Sequence, residues 1–126
     1  MRLAVVTRPL SDGKLRLAAQ IGVTDIVADN PGPEPGVLDA VRDRITSFGL
    51  HLAVIENRIE MGKIVLGKPG RDDEIAEIHE LLRNMGRLDI GICCYNFMPN
   101  MEWARTSVAA PERGGAEVTA LTQGRM

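Results

Sequence analysis

The sequence is poor in aromatic residues, in net charge and in long apolar runs, and each shortage excludes a class of protein. Aromatic residues make up 3% of the 126 residues and the formal net charge is −2, so neither a base-stacking surface nor a general attraction to nucleic acid or anionic lipid is expected. No apolar run approaches the roughly 20 residues of a membrane-spanning helix, and the N-terminus lacks the apolar length and cleavage site of a signal peptide. We expect a cytoplasmic protein that binds neither nucleic acid nor membranes.

Cysteine and histidine are also scarce. Cys93 and Cys94 are the only cysteines, and because neighbours on a strand point to opposite faces, we interpret them as reduced, small apolar groups rather than as a disulfide. His51 begins an apolar run, His79 lies on a predicted helix, and their separation gives no metal-ligand spacing such as HxxxH. The sequence therefore predicts structural or exposed roles for both histidines.

What the chain does contain is an alternation of short apolar runs with amphipathic stretches. The runs at residues 3–6, 25–28, 50–55 and 89–94 predict parallel strands buried on both faces. Three stretches between them predict helices, from apolar residues at helical spacing: Leu15, Ala18 and Ala19; Leu38, Val41, Ile45 and Phe48; and Ile75, Ile78, Leu82 and Met85. Ser11 is the predicted N-cap of the first helix. Each helix is predicted to end at a glycine: Gly22, Gly49 or Gly86.

This order of elements defines the fold class. Alternating strands and helices form right-handed βαβ units with a parallel sheet, and a closed eight-stranded βα barrel needs about 250 residues. We therefore predict an α/β fold, the parallel (βα)₃β half of a TIM barrel, truncated before its second half. Residues 1–98 form the predicted half-barrel core and residues 99–126 a predicted irregular loop or tail. A self-contained open sheet is the alternative, but three helices cannot readily cover both of its faces.

Polar side chains follow the predicted strands at their carboxyl ends, where parallel α/β sheets bind ligands. Arg8 follows the first strand, Glu56 the third, and Tyr95 and Asn96 the fourth. A carboxylate at this edge can ligate a metal, hold sugar hydroxyls or act as a base, while tyrosine and asparagine suit a polyhydroxylated ligand. The alternative is structural: a loop carboxylate paired with Arg58 or Lys63, a packed tyrosine, an asparagine that caps a turn and a solvated arginine.

Two further features lie on loops. Arg105 follows the only tryptophan, Trp103, and arginine binds carboxylate or phosphate through two parallel hydrogen bonds; a solvated loop arginine is the alternative. Residues 67–72 (GKPGRD) look like a phosphate-binding loop but lack its Gly-Lys-Ser/Thr ending. We interpret them as the entry to a helix whose first turn is acidic.

Several segments taken together resemble the mannonate dehydratase family, metal-dependent enzymes with a xylose-isomerase-like TIM barrel. The resemblance runs from residue 15 to about residue 122 and is sharpest at residues 94–99 (CYNFMP), followed by Trp103, Arg105 and Thr106. It also includes residues 17–27 (LAAQIGVTDIV), 54–56 (VIE), 64–67 (IVLG), 69–72 (PGRD), 83–86 (RNMG) and 113–119 (RGGAEVT).

The resemblance implies a hydro-lyase that converts D-mannonate to 2-keto-3-deoxy-D-gluconate in hexuronate breakdown, with a divalent ion, Mn²⁺ in the family, as cofactor. It places Glu56, Tyr95, Asn96 and Arg105 on the substrate side, to which we add Arg8. The family's metal ligands, histidines with a cysteine and an aspartate, lie in the later half of its barrel. The resemblance therefore implies no metal ligands in this chain and no activity of this chain alone.

Two other functions stay open. The chain is alternatively a catalytically silent half-barrel that binds a small polyol or assembles with a partner chain, or a fragment of a related sugar isomerase or epimerase. Because both end strands of a half-barrel have unpaired backbone edges and its interior face would meet water, we predict a homo-oligomer. A small sugar acid is the predicted ligand.

Overall fold

A computed structural model describes residues 1–97, 105–122 and 124 of the chain and contains a four-stranded parallel sheet with helices between its strands. The elements are β1 (Ala4–Val6), α1 (Asp12–Gln20), β2 (Asp25–Ala28), α2 (Val37–Thr46), β3 (His51–Glu56), α3 (Gly62–Val65), α4 (Arg71–Arg87), β4 (Ile92–Cys94), β5 (Ser107–Pro111), a 3₁₀ turn (Arg113–Gly115) and β6 (Glu117–Ala120). None of the described helices is both long and apolar enough to cross a bilayer.

The sheet has the order β1-β2-β3-β4, and every neighbouring pair is parallel. The pairing between β2 and β3 shifts by one residue, so that Ala53 is the extra residue of a bulge, which bends and twists a sheet locally. Because all four strands run in the same direction, their carboxyl ends lie at the same end of the sheet. The predicted (βα)₃β sheet is confirmed.

One apolar core joins the helices to the sheet. It contains Leu15 and Ala18 of α1, Leu38 and Ile45 of α2 and Met85 of α4, and these pack with four strand residues: Ile26, Ala28, Leu52 and Ile55. Ile26 and Ala28 lie two positions apart on β2 and therefore point to the same face of the sheet. The three long helices thus pack on one face, as in half of a barrel and unlike an open sheet with helices on both faces.

The helix ends follow the prediction at Ser11, Gly22 and Gly49, of which Gly49 takes the left-handed conformation after α2, and depart from it at Gly86. The Ser11 side chain accepts a hydrogen bond from the Lys14 backbone N–H and caps α1, and Gly22 takes the left-handed conformation after that helix. Gly86 was predicted to end the last long helix, which is wrong, because α4 continues to Arg87. There Asp89 takes the left-handed position, so the strand that was predicted from residue 89 begins at Ile92.

The buried stripe of α4 also differs from the predicted one. Leu82 was assigned to it by spacing but is 46% exposed, whereas its neighbour Leu81 packs against the core. Met85 is buried, as its place in the stripe requires. Because one step along a helix turns the side chain by about 100°, a stripe based on i, i+3 and i+7 spacing can choose the wrong one of two adjacent leucines.

The segment after residue 105 forms an antiparallel hairpin where the sequence predicted an irregular tail. β5 and β6 pair with Ser107 opposite Ala120 and Pro111 opposite Glu117, and Gly114 and Gly115 take positive φ in the turn between them. The strands are short and mostly exposed, so, unlike the central strands of the parallel sheet, they are not buried on both faces. The predicted boundary at residues 98 and 99, and Trp103, lie outside the described residues.

Candidate functional site

The carboxyl ends of the four strands form the candidate site, which we call the rim. Arg8 lies just beyond β1, Asp29 directly follows β2, Glu56 ends β3 and Tyr95 directly follows β4. Glu56 pairs with Cys94 in the register of β3 and β4, so Tyr95 lies one residue beyond the level of Glu56. The sheet topology therefore brings polar residues from four separate segments of the chain to one edge.

Arg8 connects three of these segments. Its Nε donates to Asp29 Oδ1 at 2.6 Å, and its Nη2 lies 3.2 Å from Glu56 Oε2. When the Asn57 amide is oriented with its oxygen toward the guanidinium, Arg8 Nη1 donates to it at 2.9 Å. The hydrogen bond to Asp29 is the main cause that raises the pKa of Arg8 above its ordinary value; burial, the next largest effect, opposes the rise, and the charges of Asp29 and Glu56 add to it.

The loop after β3 is tied to the loop after β2. Asn30 Nδ2 donates to the Arg58 backbone carbonyl at 3.1 Å, and Arg58 Nε lies 3.7 Å from Asp29 Oδ2. Asn57 and Arg58 both have positive φ, at 64° and 53°, a conformation that costs free energy for residues other than glycine. The surrounding contacts therefore hold a strained turn, and strained turns that persist are often found at functional sites.

Sequence reasoning missed Asp29, Asn57 and Arg58 as parts of the rim. Asp29 follows β2 directly, as Glu56 ends β3, so the same rule would have found it; the prolines and glycines that follow it in residues 30–36 (NPGPEPG) are turn signals that hid the end of the strand. Arg58 was considered only as a partner for Glu56, yet its ion pair is with Asp29. Of the alternatives, the pairing of Glu56 with an arginine is real, although the arginine is Arg8.

The remaining predicted site residues are Tyr95, Asn96 and Arg105. Tyr95 and Asn96 follow β4 directly and are exposed at the rim. Arg105 is exposed and lies just before β5, and its membership of the rim stays a prediction. Neither histidine lies at the rim. His79 is exposed on α4, and His51 begins β3 at the opposite, amino-terminal end of the sheet.

A second polar cluster lies at the amino-terminal end of the sheet. Asp25 is only 2% exposed; its carboxylate accepts hydrogen bonds from Arg2 Nε at 2.9 Å and from the Thr24 hydroxyl, and it lies 3.3 Å from His51 Nδ1. Burial works against ionisation of Asp25, but the hydrogen bonds from Thr24 and Arg2 together hold the pKa of Asp25 below its ordinary value. This cluster closes the amino-terminal end of the sheet and is separate from the rim.

The part of the chain that the structure describes contains a cavity but no cluster of metal ligands. Among residues 1–97, 105–122 and 124, no three His, Cys, Asp or Glu side chains come together in a way that could hold an ion, so this part of the chain does not fit a metal centre. A cavity of about 130 Å³ lies behind the rim, between α2, α4 and the loops after β2 and β3. Its lining is rich in carboxylates and includes Glu34, Asp39, Arg58, Glu60, Glu77 and Glu80.

Comparison with known proteins shows which family the sequence of this chain matches. The D-mannonate dehydratase (UxuA) family matches residues 8–126. The mannonate dehydratase of Chromohalobacter salexigens is 30% identical over 118 residues, which make up 91% of this chain and 30% of the relative. That of Thermotoga petrophila is 33% identical over 99 residues, which make up 76% of this chain and 28% of the relative.

A solved structure is similar as well. The mannonate dehydratase from Streptococcus suis serotype 2 matches with a TM-score of 0.76 and 28% sequence identity, over 99% of this chain and 38% of that chain. The chain therefore spans less than a third of the length of each of the two curated relatives and well under half of the solved one.

Proposed function

Because this chain belongs to the D-mannonate dehydratase family, we propose that it supplies the first rim segments of an enzyme that dehydrates D-mannonate to 2-keto-3-deoxy-D-gluconate in hexuronate breakdown. The enzyme is a carbon–oxygen hydro-lyase, and we place it in the cytoplasm. The observation that carries the proposal is the rim itself: the family match spans residues 8–126, and within that span the strand ends bring together an arginine, two carboxylates, a tyrosine and an asparagine.

The reaction removes the proton from C2 of the sugar acid and the hydroxyl from C3, so that water leaves and an enol forms that becomes the 2-keto product. We assign the rim residues to binding the substrate. The Glu56 carboxylate accepts hydrogen bonds from sugar hydroxyls, and Asn96 can both donate and accept. Arg8 has five N–H donors, so it can hold Asp29 and Glu56 and still donate to a substrate oxygen. Tyr95 and Arg105 complete the proposed set of substrate contacts.

A divalent metal ion, which we propose to be Mn²⁺, is the cofactor implied by the family. When bound, such an ion would supply positive charge beside the substrate oxygens. The described residues do not fit a metal centre, so we assign none of them as a ligand. We propose that the chain needs the rest of the barrel to be active.

A catalytically silent, polyol-binding half-barrel is the second candidate, and one observation favours it. Arg8 and Arg58 are already paired with the rim carboxylates Asp29 and Glu56. The charges of these four side chains therefore balance, so the rim does not select strongly for an anionic ligand over a neutral one. Calorimetric titration of the chain separates the candidates: a sugar-acid site binds D-mannonate more tightly than mannitol, whereas a polyol site binds both equally.

The decisive experiment supplies the missing part of the barrel. We would replace the matching segment of the Chromohalobacter salexigens enzyme by this chain and measure formation of the 2-keto product from D-mannonate with Mn²⁺. We expect an active chimera in which Glu56→Gln lowers kcat/KM by at least about tenfold, the effect of losing one charge-assisted hydrogen bond. Glu60→Gln is the matched control, because Glu60 is exposed on the same loop and lines the cavity behind the rim.

A folded, monodisperse chimera without activity would refute the proposal, provided that the parent enzyme is active in the same assay. Equal loss of activity for Glu56→Gln and Glu60→Gln would remove Glu56 from the substrate site.

A further inference from the structure

The Arg8 guanidinium divides its contacts between two carboxylates of the rim. Its Nε donates to Asp29 Oδ1 at 2.6 Å, and its Nη2 lies 3.2 Å from Glu56 Oε2. Among the residues that the structure describes, none donates a hydrogen bond to Glu56 Oε1, and the Glu56 side chain is 36% exposed. One oxygen of Glu56 is therefore able to accept a hydrogen bond from a ligand.

Other arginines of this chain bind both oxygens of one carboxylate. Arg87 donates from Nη1 to Asp39 Oδ1 at 2.8 Å and from Nη2 to Asp39 Oδ2 at 2.7 Å. Arg2 likewise donates to both oxygens of Asp25. Two parallel hydrogen bonds are the geometry that a guanidinium and a carboxylate prefer. Arg8 departs from this geometry because a second carboxylate competes for it.

The competing carboxylate, Asp29, is held in place by the neighbouring loop. The Asn30 backbone N–H donates to the Asn57 carbonyl at 3.4 Å, and Asn30 Nδ2 donates to the Arg58 carbonyl at 3.1 Å. Arg58 Nε lies 3.7 Å from Asp29 Oδ2, so both oxygens of Asp29 face arginines. The Asp29 side chain is also less exposed than that of Glu56, at 27%. Asp29 therefore holds the arginines of the rim rather than a ligand.

We propose that Asp29 is a positioning residue of the substrate site, which holds Arg8 through Nε and thereby keeps Glu56 Oε1 open to a sugar hydroxyl. Without the Asp29 carboxylate, Arg8 turns fully to Glu56 and takes the geometry with two hydrogen bonds that joins Arg87 to Asp39. Both Glu56 oxygens are then occupied, and the substrate loses one acceptor. The inference rests on the proposed function, because it assumes that Glu56 binds the substrate.

The first test measures how fast the side-chain N–H groups of Arg8 exchange with water, by nuclear magnetic resonance of the labelled 126-residue chain. In Asp29→Ala we expect the Nε–H to exchange at least about tenfold faster and the Nη–H groups to exchange more slowly, because the guanidinium turns from Asp29 to Glu56. Asp39→Ala is the matched control: the Asp39 side chain is 30% exposed and paired with Arg87, and its loss should leave both rates of Arg8 unchanged.

A comparison within the unsubstituted chain covers the case in which Asp29→Ala fails to fold. Arg8 donates to Asp29 from Nε, whereas Arg87 donates to Asp39 from its two Nη groups. The Nε–H of Arg8 should therefore exchange at least about tenfold more slowly than the Nε–H of Arg87. Equal rates would overturn the proposed hold of Asp29 on Arg8.

The second test uses the kinetics of the chimera with the Chromohalobacter salexigens enzyme. Asp29→Ala should raise the KM for D-mannonate by about tenfold and change kcat by no more than about twofold, because a binding contact is lost equally before and in the transition state. Added to Glu56→Gln, the same change should lower kcat/KM by no more than about another twofold, because Asp29 acts through Glu56. Asp39→Ala should leave both constants unchanged.

Three results would overturn the inference. In folded Asp29→Ala, the exchange at Arg8 Nε could stay unchanged, or it could become faster without slower exchange at the Nη groups. In the chimera, Asp29→Ala and Glu56→Gln could lower kcat/KM by factors that multiply, which would show that the two residues act independently. An inactive chimera together with the expected exchange rates would refute the proposed function and support the hold of Asp29 on Arg8, so the two failures are distinguishable.

Discussion

Replacing Asp25 by asparagine is expected to destabilise the chain while leaving the rim intact. Asp25 is 2% exposed at the start of β2, where it accepts hydrogen bonds from Arg2 and Thr24 and lies beside His51. The amide of asparagine has nearly the same shape but no charge, and its NH₂ group would face the donors of Arg2. The substitution therefore removes charge-assisted hydrogen bonds without creating a cavity.

The expected size of the effect is about 2–3 kcal/mol at pH 7. A hydrogen bond to a charged group contributes about 1.5–3 kcal/mol. The bond from Arg2 is placed at the lower end of that range, because the Arg2 side chain is 65% exposed and can turn to water. Thr24 loses less, because its hydroxyl also lies within reach of the Leu3 carbonyl. This total is a large part of the roughly 5–15 kcal/mol that stabilise a domain.

The stabilisation by the Asp25 carboxylate is expected to decrease as the pH falls. The pKa of Asp25 is held below its ordinary value in the folded chain, so the unfolded chain binds the proton more tightly. The stabilisation is therefore fully present above the unfolded pKa of about 3.9 and is lost as the pH falls through the lower, folded pKa. The difference in free energy of unfolding between the unsubstituted chain and Asp25→Asn should be constant near neutral pH and should shrink below about pH 4.

The assay is urea unfolding followed by circular dichroism at one fixed protein concentration, because self-association would otherwise change the apparent stability. Asp43→Asn is the matched control: Asp43 is exposed and paired with Arg42, and its loss should cost no more than about 0.5 kcal/mol. Equal stabilities of Asp25→Asn and the unsubstituted chain at pH 7 would refute the reasoning, as would a difference that stays the same at pH 3.

Three further predictions concern the helix ends, the core and the thiols. Asp89 and Gly22 hold the same left-handed position after α4 and α1, respectively. Asp89→Gly should therefore raise the free energy of unfolding by about 0.5–1 kcal/mol, and Gly22→Ala should lower it by about 1–2 kcal/mol. Urea unfolding measures both changes, and the same sign for the two would contradict the assignment. Ile55 is fully buried under the helices, so Ile55→Ala should cost about 2–5 kcal/mol, and a cost below 1 kcal/mol would contradict its place in the core. Burial, with a smaller contribution from Cys94, raises the pKa of Cys93, so a thiol reagent at pH 8 should modify the exposed Cys94 first. Mass spectrometry of the digested protein measures the order, and faster reaction at Cys93 would contradict the prediction.

Most of the sheet could be predicted from the sequence because parallel strands buried on both faces are nearly continuous apolar runs. Residues 25–28 match β2 in full, and residues 50–55 differ from β3 by one residue at each end. The strand predicted at residues 89–94 was too long by three residues, because the turn that ends α4 continues to Ile90. An apolar run that contains a helix-ending turn cannot be divided by hydrophobicity alone.

The rim could be predicted only in part. Arg8 and Glu56 were found because each lies at the end of an apolar run. Asp29 has the same position but is followed by a loop rich in proline and glycine, so its turn signals hid its place at the sheet edge. The pairing of Arg8 with Asp29 joins residues 21 positions apart, and such contacts depend on sheet order, which the sequence indicates only indirectly.

The hairpin formed by β5 and β6 could not be predicted from apolar pattern, because both strands are largely exposed and one ends in a proline. The adjacent glycines at residues 114 and 115 were a turn signal that fits a hairpin. What was missing is a strong strand signal in the flanking residues, since β6 alternates polar and apolar residues over only four positions and β5 contains two alanines and a proline, which are depleted in strands.

The most direct test of the proposed substrate site is nuclear magnetic resonance of the labelled chain during titration with D-mannonate. We predict that the side-chain signals of Arg8 and Asn96 and the backbone signals of Asp29 and Glu56 shift together, with a larger effect than mannitol gives at the same concentration. The signal of Asp25, at the opposite end of the sheet, should stay unchanged. Shifts confined to the Asp25 end, or no difference between D-mannonate and mannitol at the rim, would contradict a sugar-acid site at the carboxyl ends of these strands.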